Sequence, residues 1–389
     1  MNFELTKEQE DIQKAAREFA EAEFDKDYML DIELNHKFPL ELLNKACELG
    51  FVSIDFPEEY GGQGYGLLEK VLVLEEFCRV GAGVGVSIGT CQFASKILLG
   101  AGSAEQKKKY LSLVCSGEGL PFSGAFSEPD RGSDLVTFPL STTAVKDGAD
   151  YVINGTKTFI TFADIAKFAI VLCQTDPEAQ PPYRGQSTIL IEKPAEQKGI
   201  DITEFVKMGW KSCATTQVSF ANVRVPQENL VGEENRGFYN AINFLDGFRV
   251  EIGACSVGTA QGAFERALDY AKTREAFGHK IGAFQAISHK LAEMATKIEA
   301  ARLLVYKAAG QFDKEGKVDP KLSSMAKWYP ARTSVEVADE AIEILGGHGY
   351  MLENEVERFY RDARQFELVE GTREIHKNTI ARFLLGKLE

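Results

Sequence analysis

The stretch YVINGTKTFI, residues 151–160, sets Asn154-Gly155 between two short runs rich in β-branched and aromatic residues. That dipeptide accepts the positive φ values of a tight two-residue turn, so the stretch predicts a β-hairpin. KFAIVLCQT (167–175), STILIEK (187–193) and TQVSFANVRVP (216–226) continue in strand-like fashion, with Pro181-Pro182 marking a loop. On either side of this β-rich middle the period changes. Before it, Thr6-Lys7-Glu8-Gln9 reads as a capping box, and Ile12, Ala15, Ala16 and Phe19 follow at helical spacing. LELLNKACELG (40–50) and GLLEKVLVLEEFCRV (66–80) are further helical stretches, and Ser103 to Gln106 is a second capping box opening the helix that carries Lys107 to Lys109. After it, Val257, Ala260, Phe264, Ala267 and Ala271 form one stripe and Leu291, Met294, Ile298, Ala301 and Leu304 another. EVADEAIEILGG and EIHKNTIARFLLG supply two more helices, enough for a bundle of four long ones. The reading is α+β: a helical unit at 1–120, a β unit at 121–235 and a helical bundle at 236–389.

Composition bounds the partners. The chain carries 44 Lys+Arg against 58 Asp+Glu, a formal charge of -14, and has no basic stripe for nucleic acid. No apolar run reaches membrane-spanning length. The opening MNFELTKEQEDIQKAAREF has charges from Glu4 onward and no apolar signal core, and is too acidic for a transit segment, so a cytoplasmic location is expected. The seven cysteines are scattered without a CxxC pair and read as reduced thiols. The five histidines have no metal-ligand spacing, and a lone one such as His348 or His376 reads as a surface or supporting group, so no metal is expected.

Four segments carry chemistry. GAFSEPDRGSD (124–134) places Pro129, Gly132 and Ser133 in a turn whose N–H groups and hydroxyls suit a polar ring edge or a phosphate; by itself it is also an ordinary loop. In LVEGTREIHKNTIARFLLG (368–386), Glu370 follows Phe366, Leu368 and Val369, and Gly371 allows a sharp turn into a helix. A carboxylate among apolar neighbours gains basicity; on local sequence a solvated helix cap is the equal alternative. LDGFR (245–249) places Arg249 at a helix start beside Asp246 and Gly247, while Arg274, Phe277, Gly278 and Gln285 of REAFGHKIGAFQ could meet a pyrophosphate and an adenine. ILGGHGY (344–350) permits close backbone approach, but no strand precedes it, so it is not a nicotinamide-type glycine motif.

In this order and spacing the four segments resemble the acyl-CoA dehydrogenase family across essentially the whole chain. The resemblance implies an N-terminal helical domain, a β-barrel-like middle domain and a C-terminal four-helix bundle, assembled as a homotetramer around FAD. It implies that Phe126, Ser127 and Ser133 meet the flavin and thioester, with Phe159 and Thr161 beside the ring; Phe159 stands where the family often has Trp. Arg274, Phe277 and Gln285 are implied to reach FAD, in part from a neighbouring subunit. Glu343, Gly346 and Gly347 correspond to an adenine contact usually written QxxGG, with Glu343 departing from glutamine, and Thr372 and Glu374 to the last FAD contacts. Glu370 is implied to take the substrate α-proton, and Asp246, Arg249 and Gly371 are implied to bind the substrate. Electrons are implied to pass to an electron-transferring flavoprotein.

The same resemblance places the small-residue stretch from Gly81 to Ser95 along the acyl chamber, with Ser87 and Cys91 one turn apart on one face. A wide, short chamber suits a short, branched or alicyclic acyl-CoA. Alternatives on this fold are 1,4-dehydrogenation of a cyclic enoyl-CoA such as cyclohexene-carboxyl-CoA, an acyl-CoA oxidase, and a non-catalytic assembly subunit. Glu251, two positions beyond Arg249, is turned to another helix face and is a poorer base than Glu370.

Overall fold

The computed structural model describes residues 4–386; the outermost expected domain ends, at residues 1 and 389, lie outside them. The N-terminal helices are α1 (Lys7–Glu23), α2 (Lys26–Asn35), α3 (Leu40–Glu48), α4 (Leu67–Val80), α5 (Ala82–Gly89) and α6 (Ser95–Ala101). They end in one continuous helical rod: α7 (Ala104–Gln106), a π turn at Lys107–Leu111, and α8 (Ser112–Ser116). Both capping boxes form. Thr6 Oγ1 accepts from Gln9 N at 3.2 Å while Gln9 Oε1 accepts from Thr6 N at 2.9 Å, and Ser103 pairs with Gln106 in the same way.

The middle unit holds β1 (Phe122–Ala125), β2 (Thr143–Asp147), β3 (Asp150–Thr161), β4 (Phe168–Gln174), β5 (Gln186–Glu192), β6 (Ile200–Glu204), β7 (Thr215–Pro226) and β8 (Leu230–Val231). They form one sheet in the order β6-β7-β3-β2-β4-β5-β8, with β1 parallel to β4. The ladder runs from β6 to β8 without returning on itself, so closure into a full barrel is not reached among the described residues. The sheet curls instead around a core of its own, which includes Ala144, Tyr151, Ile153, Val171, Ile189 and Val218. Alternation divides the faces: Val171 and Ile189 point into that core, while Ile170 and Leu190 join the core shared with the helices.

The hairpin expected at Asn154-Gly155 does not form there. β3 runs straight through the dipeptide, and the turn lies at Gly148 (φ +64), where Asp147 pairs with Asp150 and joins β2 to β3. The two loop residues are Gly148-Ala149, with glycine at the first central position that a II′-type turn requires. Gly155 serves a bulge: the register with β7 shifts between Ile153 and Gly155, and a Cβ on Gly155 would lie 2.5 Å from Thr142 Cα.

The C-terminal unit comprises α9 (Gly237–Thr273), a small hairpin of β9 (Glu275–Ala276) and β10 (His279–Lys280), α10 (Gln285–Glu315), α11 (Pro320–Leu345), α12 (Val356–Phe366) and α13 (Arg373–Leu385). The four long helices expected are three long and two short among the described residues. Two backbone breaks cause this: the 3-10 turn Gly346–Tyr350 ends α11, and Glu370 (φ +55) with Gly371 (φ +104) separates α12 from α13. α4 packs directly on α9, where a Cβ on Gly258 would meet the Glu75 carbonyl at 2.1 Å. N-terminal and C-terminal helices therefore share one core. Among the described residues no helix is long and apolar enough to cross a membrane.

Candidate active site

Glu370 lies in the break between α12 and α13, and three helices converge on it. From α9, Arg249 donates Nε–H to the Glu370 carbonyl at 3.1 Å and Nη1–H to Asp246 at 2.7 Å. From α11, Lys327 donates to the Gly371 carbonyl at 2.8 Å, and Ser323 donates to the Asp246 carbonyl at 2.7 Å. From α13, His376 is fully buried against Gly371, whose Cβ position would lie 3.2 Å from Nε2.

Burial governs the charges here. The Glu370 carboxyl keeps some solvent access but is packed closely, and this desolvation pushes it up to about 7 against the pull of Arg249 and Lys327. Lys327 is pushed down to about 7 by burial, with Glu370 opposing. Burial, Lys327 and Arg249 together push His376 down to about 3, so its ring is neutral at ordinary pH. Asp246 is raised by burial, with Arg249 opposing. A carboxyl poised near neutrality can accept or donate a proton there.

Arg249 is about three turns inside α9, which already begins at Gly237, and not at a helix start as expected. Its reach across to Glu370 is thus set by helix packing. Glu251, on another face, pairs with Lys96 at 2.5 Å and takes no part in this cluster. The signal for Lys327, which the sequence reading missed, is a polar run (Ser323, Ser324, Lys327) at one-turn spacing within a helix of small residues; all three are fully buried. His376, read as peripheral, is buried as well.

A second group forms an edge on the sheet. Ser127 accepts from Thr158 N at 2.9 Å, and Ser123 donates to the Thr161 carbonyl at 2.7 Å. Buried Lys157 binds both the Phe126 carbonyl at 3.0 Å and Glu128 at 3.1 Å, and Glu128 in turn accepts from Ser141 N and Thr142 N. This buried pair ties the GAFSEPD segment to β3. Phe126 packs on Phe93, and Phe93 on Phe248, the neighbour of Arg249, so this edge adjoins the Glu370 cluster. Phe159 is 68 % exposed at φ +59, its ring 5.7 Å from Phe205, and Ser133 is exposed on the loop that follows Glu128. An outward aromatic held on unfavourable backbone, beside hydroxyls and backbone amides, matches the chemistry of a flavin edge. The residues present fit FAD.

The remaining expected cofactor residues lie elsewhere. Arg274 is about 37 Å beyond Arg249 along α9. Phe277 (φ +53) and Gly278 (φ +79) form the β9–β10 turn, with Phe277 93 % exposed. Gln285 opens α10 and is exposed, as are Glu343, Gly346 and Gly347 at the end of α11. Tyr270 lies 6.0 Å from His348, which places the ends of α9 and α11 together. Thr372 precedes α13, close to Glu370 in the chain, and Glu374 is exposed.

Ser87 and Cys91 do not share a helix face. α5 ends at Gly89, and the chain turns before Cys91. Ser87 hydrogen-bonds the Gly83 carbonyl at 2.9 Å and Ser212 at 2.7 Å, whereas Cys91 donates to the Ile88 carbonyl at 3.2 Å. Both are fully buried, and burial pushes the Cys91 thiol far up, so it stays protonated. Neither presents surface to an open chamber.

Comparison with known proteins agrees with this architecture. The N-terminal, middle and C-terminal domain models of acyl-CoA dehydrogenases match residues 6–118, 123–223 and 235–385. The chain is 40% identical over 97% of its length to the caffeyl-CoA reductase–Etf complex subunit CarC of Acetobacterium woodii, covering 98% of that protein. It is 36% identical over 98% of its length to cyclohex-1-ene-1-carbonyl-CoA dehydrogenase of Syntrophus aciditrophicus, covering 91% of it. The solved butyryl-CoA dehydrogenase of Megasphaera elsdenii superimposes with a TM-score of 0.93 at 33% identity, covering 99% of this chain and all of that one. With all three domain models matched in order along the chain, it belongs to the acyl-CoA dehydrogenase family and is a FAD-dependent oxidoreductase.

Proposed function

We propose that the protein oxidises a short, branched or alicyclic acyl-CoA to the enoyl-CoA, with Glu370 as the base that removes the α-proton. The observation carrying this reading is the Glu370 carboxyl, raised to about 7 on a turn gripped by Arg249. Bound FAD supplies the acceptor for the β-hydride. Arg249 orders the turn, and Asp246 orients Arg249. Among the described residues the Glu370 N–H has no hydrogen-bond partner, which leaves it free to hold the thioester oxygen as charge develops. The proposed flavin contacts are Phe126, Ser127, Ser133, Phe159, Thr161 and Thr372. The test is anaerobic flavin bleaching across straight, branched, aromatic and alicyclic acyl-CoA thioesters; no bleaching by any of them would remove the reading.

A second reading, reduction of an enoyl-CoA, is favoured by the likeness to caffeyl-CoA reductase, since a carboxyl with a midpoint near 7 can return the α-proton as readily as take it. Pre-reduced enzyme mixed with an enoyl-CoA reports this direction. Desaturation across distant carbons would need a further base, and the buried Cys91 thiol does not supply one. An electron-transferring flavoprotein is the proposed redox partner, in keeping with the Etf complex of that relative.

Substrate charge gives one expected outcome. Gly83 stands near the position where relatives that take glutaryl-CoA carry an arginine, and its N–H is held by the buried Asp362 carboxylate at 2.9 Å. An unpaired substrate carboxylate there costs several kcal/mol, so glutaryl-CoA is expected to bleach the flavin at least ~100-fold more slowly than the best neutral thioester. Comparable rates would refute this.

Assembly gives another. The Arg274, Phe277, Gln285, Glu343 and Gly346–Gly347 set lies too far along the bundle from Glu370 to serve the same cofactor, so we assign it to the FAD of a neighbouring copy in a homotetramer. Arg274→Ala is expected to lower flavin occupancy and loosen the oligomer together, read by the flavin-to-protein absorbance ratio and light scattering. A variant that stayed fully flavinylated at micromolar dilution would mark Arg274 as an ordinary surface arginine.

A further inference from the structure

Lys327 is the buried cation that the reaction above leaves without a role. It is fully enclosed on α11, and among the described residues its ammonium has one hydrogen bond, to the Gly371 carbonyl at 2.8 Å. An enclosed ammonium with a single neutral acceptor is expensive, and an apolar side chain of similar length would fill the space at lower cost. Its position suggests what offsets that cost. The turn that presents the base has two successive carbonyls, and each is held by a cation from a different long helix: Glu370 O by Arg249 of α9, Gly371 O by Lys327 of α11. The turn needs holding, because Glu370 carries a Cβ at φ +55, where such residues are disfavoured.

We propose that Lys327 is a positioning residue for Glu370: by holding the Gly371 carbonyl it locks the turn after the carboxylate, and its charge across the acid range favours the ionised carboxylate. This rests on Glu370 being the base. The other charged or titratable groups around Lys327 are Arg249 on α9, Glu367 after α12 and His376 on α13. Glu367 is already engaged by Arg364 at 2.6 Å and Arg373 at 3.3 Å, and His376 is neutral, so Glu370 is the carboxyl left to feel the Lys327 charge, without a direct ion pair between the two side chains.

The sign of the effect follows. Lys327 opposes the upward push of burial on Glu370. Without its charge the carboxyl ionises at higher pH, and the acid limb of the rate profile moves up. Lys327→Gln and Lys327→Arg would be purified with FAD, and anaerobic bleaching followed from about pH 5.5 to about 9 with the thioester that bleaches wild type fastest. For Lys327→Gln we expect retained FAD, KM within about twofold, bleaching near neutral pH about tenfold slower, and an acid limb about one pH unit higher. Lys327→Arg should return the limb to the wild-type position or below. An unmoved limb in Lys327→Gln, with either an unchanged rate or a uniform loss at every pH, would overturn the proposal, since a merely structural lysine gives that result. If Lys327→Gln fails to hold FAD, the arginine variant decides: a limb above the wild-type position overturns the proposal, and one at or below it supports it. Wild-type bleaching in Glu370→Gln would instead remove the base assignment itself.

Discussion

Glu370→Gln should retain FAD and bind acyl-CoA, while flavin reduction falls by about 10²- to 10⁴-fold, the range set by losing a positioned base. The amide keeps the shape of the carboxyl, and the Arg249 and Lys327 clamps act on backbone carbonyls that the substitution leaves in place. Stopped-flow bleaching measures the loss; a rate near wild type would move the base elsewhere. The same variant has a stability signature with a definite sign. Glu370 titrates near about 7 folded but near 4.5 unfolded, so between those values the folded chain binds more protons. Wild-type stability therefore falls as pH rises through this window and stays lower above it. The glutamine variant escapes that cost and should be about 1–2 kcal/mol more stable above pH 7, with the difference vanishing near pH 4. The gain is set below the full shift because the Glu370 carboxyl keeps some solvent access, which screens the cost of its charge. Melting temperature against pH for both proteins would read it.

The largest effect on stability is expected at Lys96→Met. Lys96 joins Asp55 of the N-terminal unit to Glu251 of α9, at 2.5 Å from the latter, and both carboxylates are nearly enclosed. Burial alone would lower the lysine, but the Coulomb pull of Asp55 and Glu251 outweighs it and raises the lysine overall. Removing the cation strands two buried carboxylates, which costs about 3–5 kcal/mol. Adding Asp55→Asn and Glu251→Gln should restore most of this. Denaturant midpoints for the single and triple variants measure both; a loss under ~0.5 kcal/mol in the single variant would mean the network is not what joins these helices. The same network holds Glu251, close to Arg249 in sequence, against Lys96 and away from the Glu370 cluster.

Elements whose cause is local were legible in the sequence. Both capping boxes form because donor and acceptor lie three residues apart. In the α9 and α10 stripes Val257, Ala260, Ala267, Ala271, Met294, Ile298 and Ala301 are buried, and Phe264, Leu291 and Leu304 half-buried. Glu370 was legible as a carboxylate among apolar neighbours before a glycine, although only burial raised it to about 7. The errors have two sources: contacts distant in sequence for the turn, and helix boundaries for the Ser87–Cys91 face and for Arg249. Asn154-Gly155 and Gly148-Ala149 can both turn the chain, and the choice fell to pairing with β7 and the close approach of Thr142. Ser87 and Cys91 looked like one face until α5 ended between them.

The order of helical, β and helical units and the family were readable from the sequence, because these follow from residue types at short spacing. Only the tertiary structure decided which charges meet Glu370. Arg249 and Lys327 sit on helices far apart in the chain, and only packing of α11 on α9 brings both to one turn. It also decided that Arg274 and Gly346 lie at the far end of the bundle, because a long helix carries its ends apart at about 1.5 Å per residue. The basicity of Glu370 is likewise tertiary: desolvation is a property of everything packed around a group, and no local spacing encodes it.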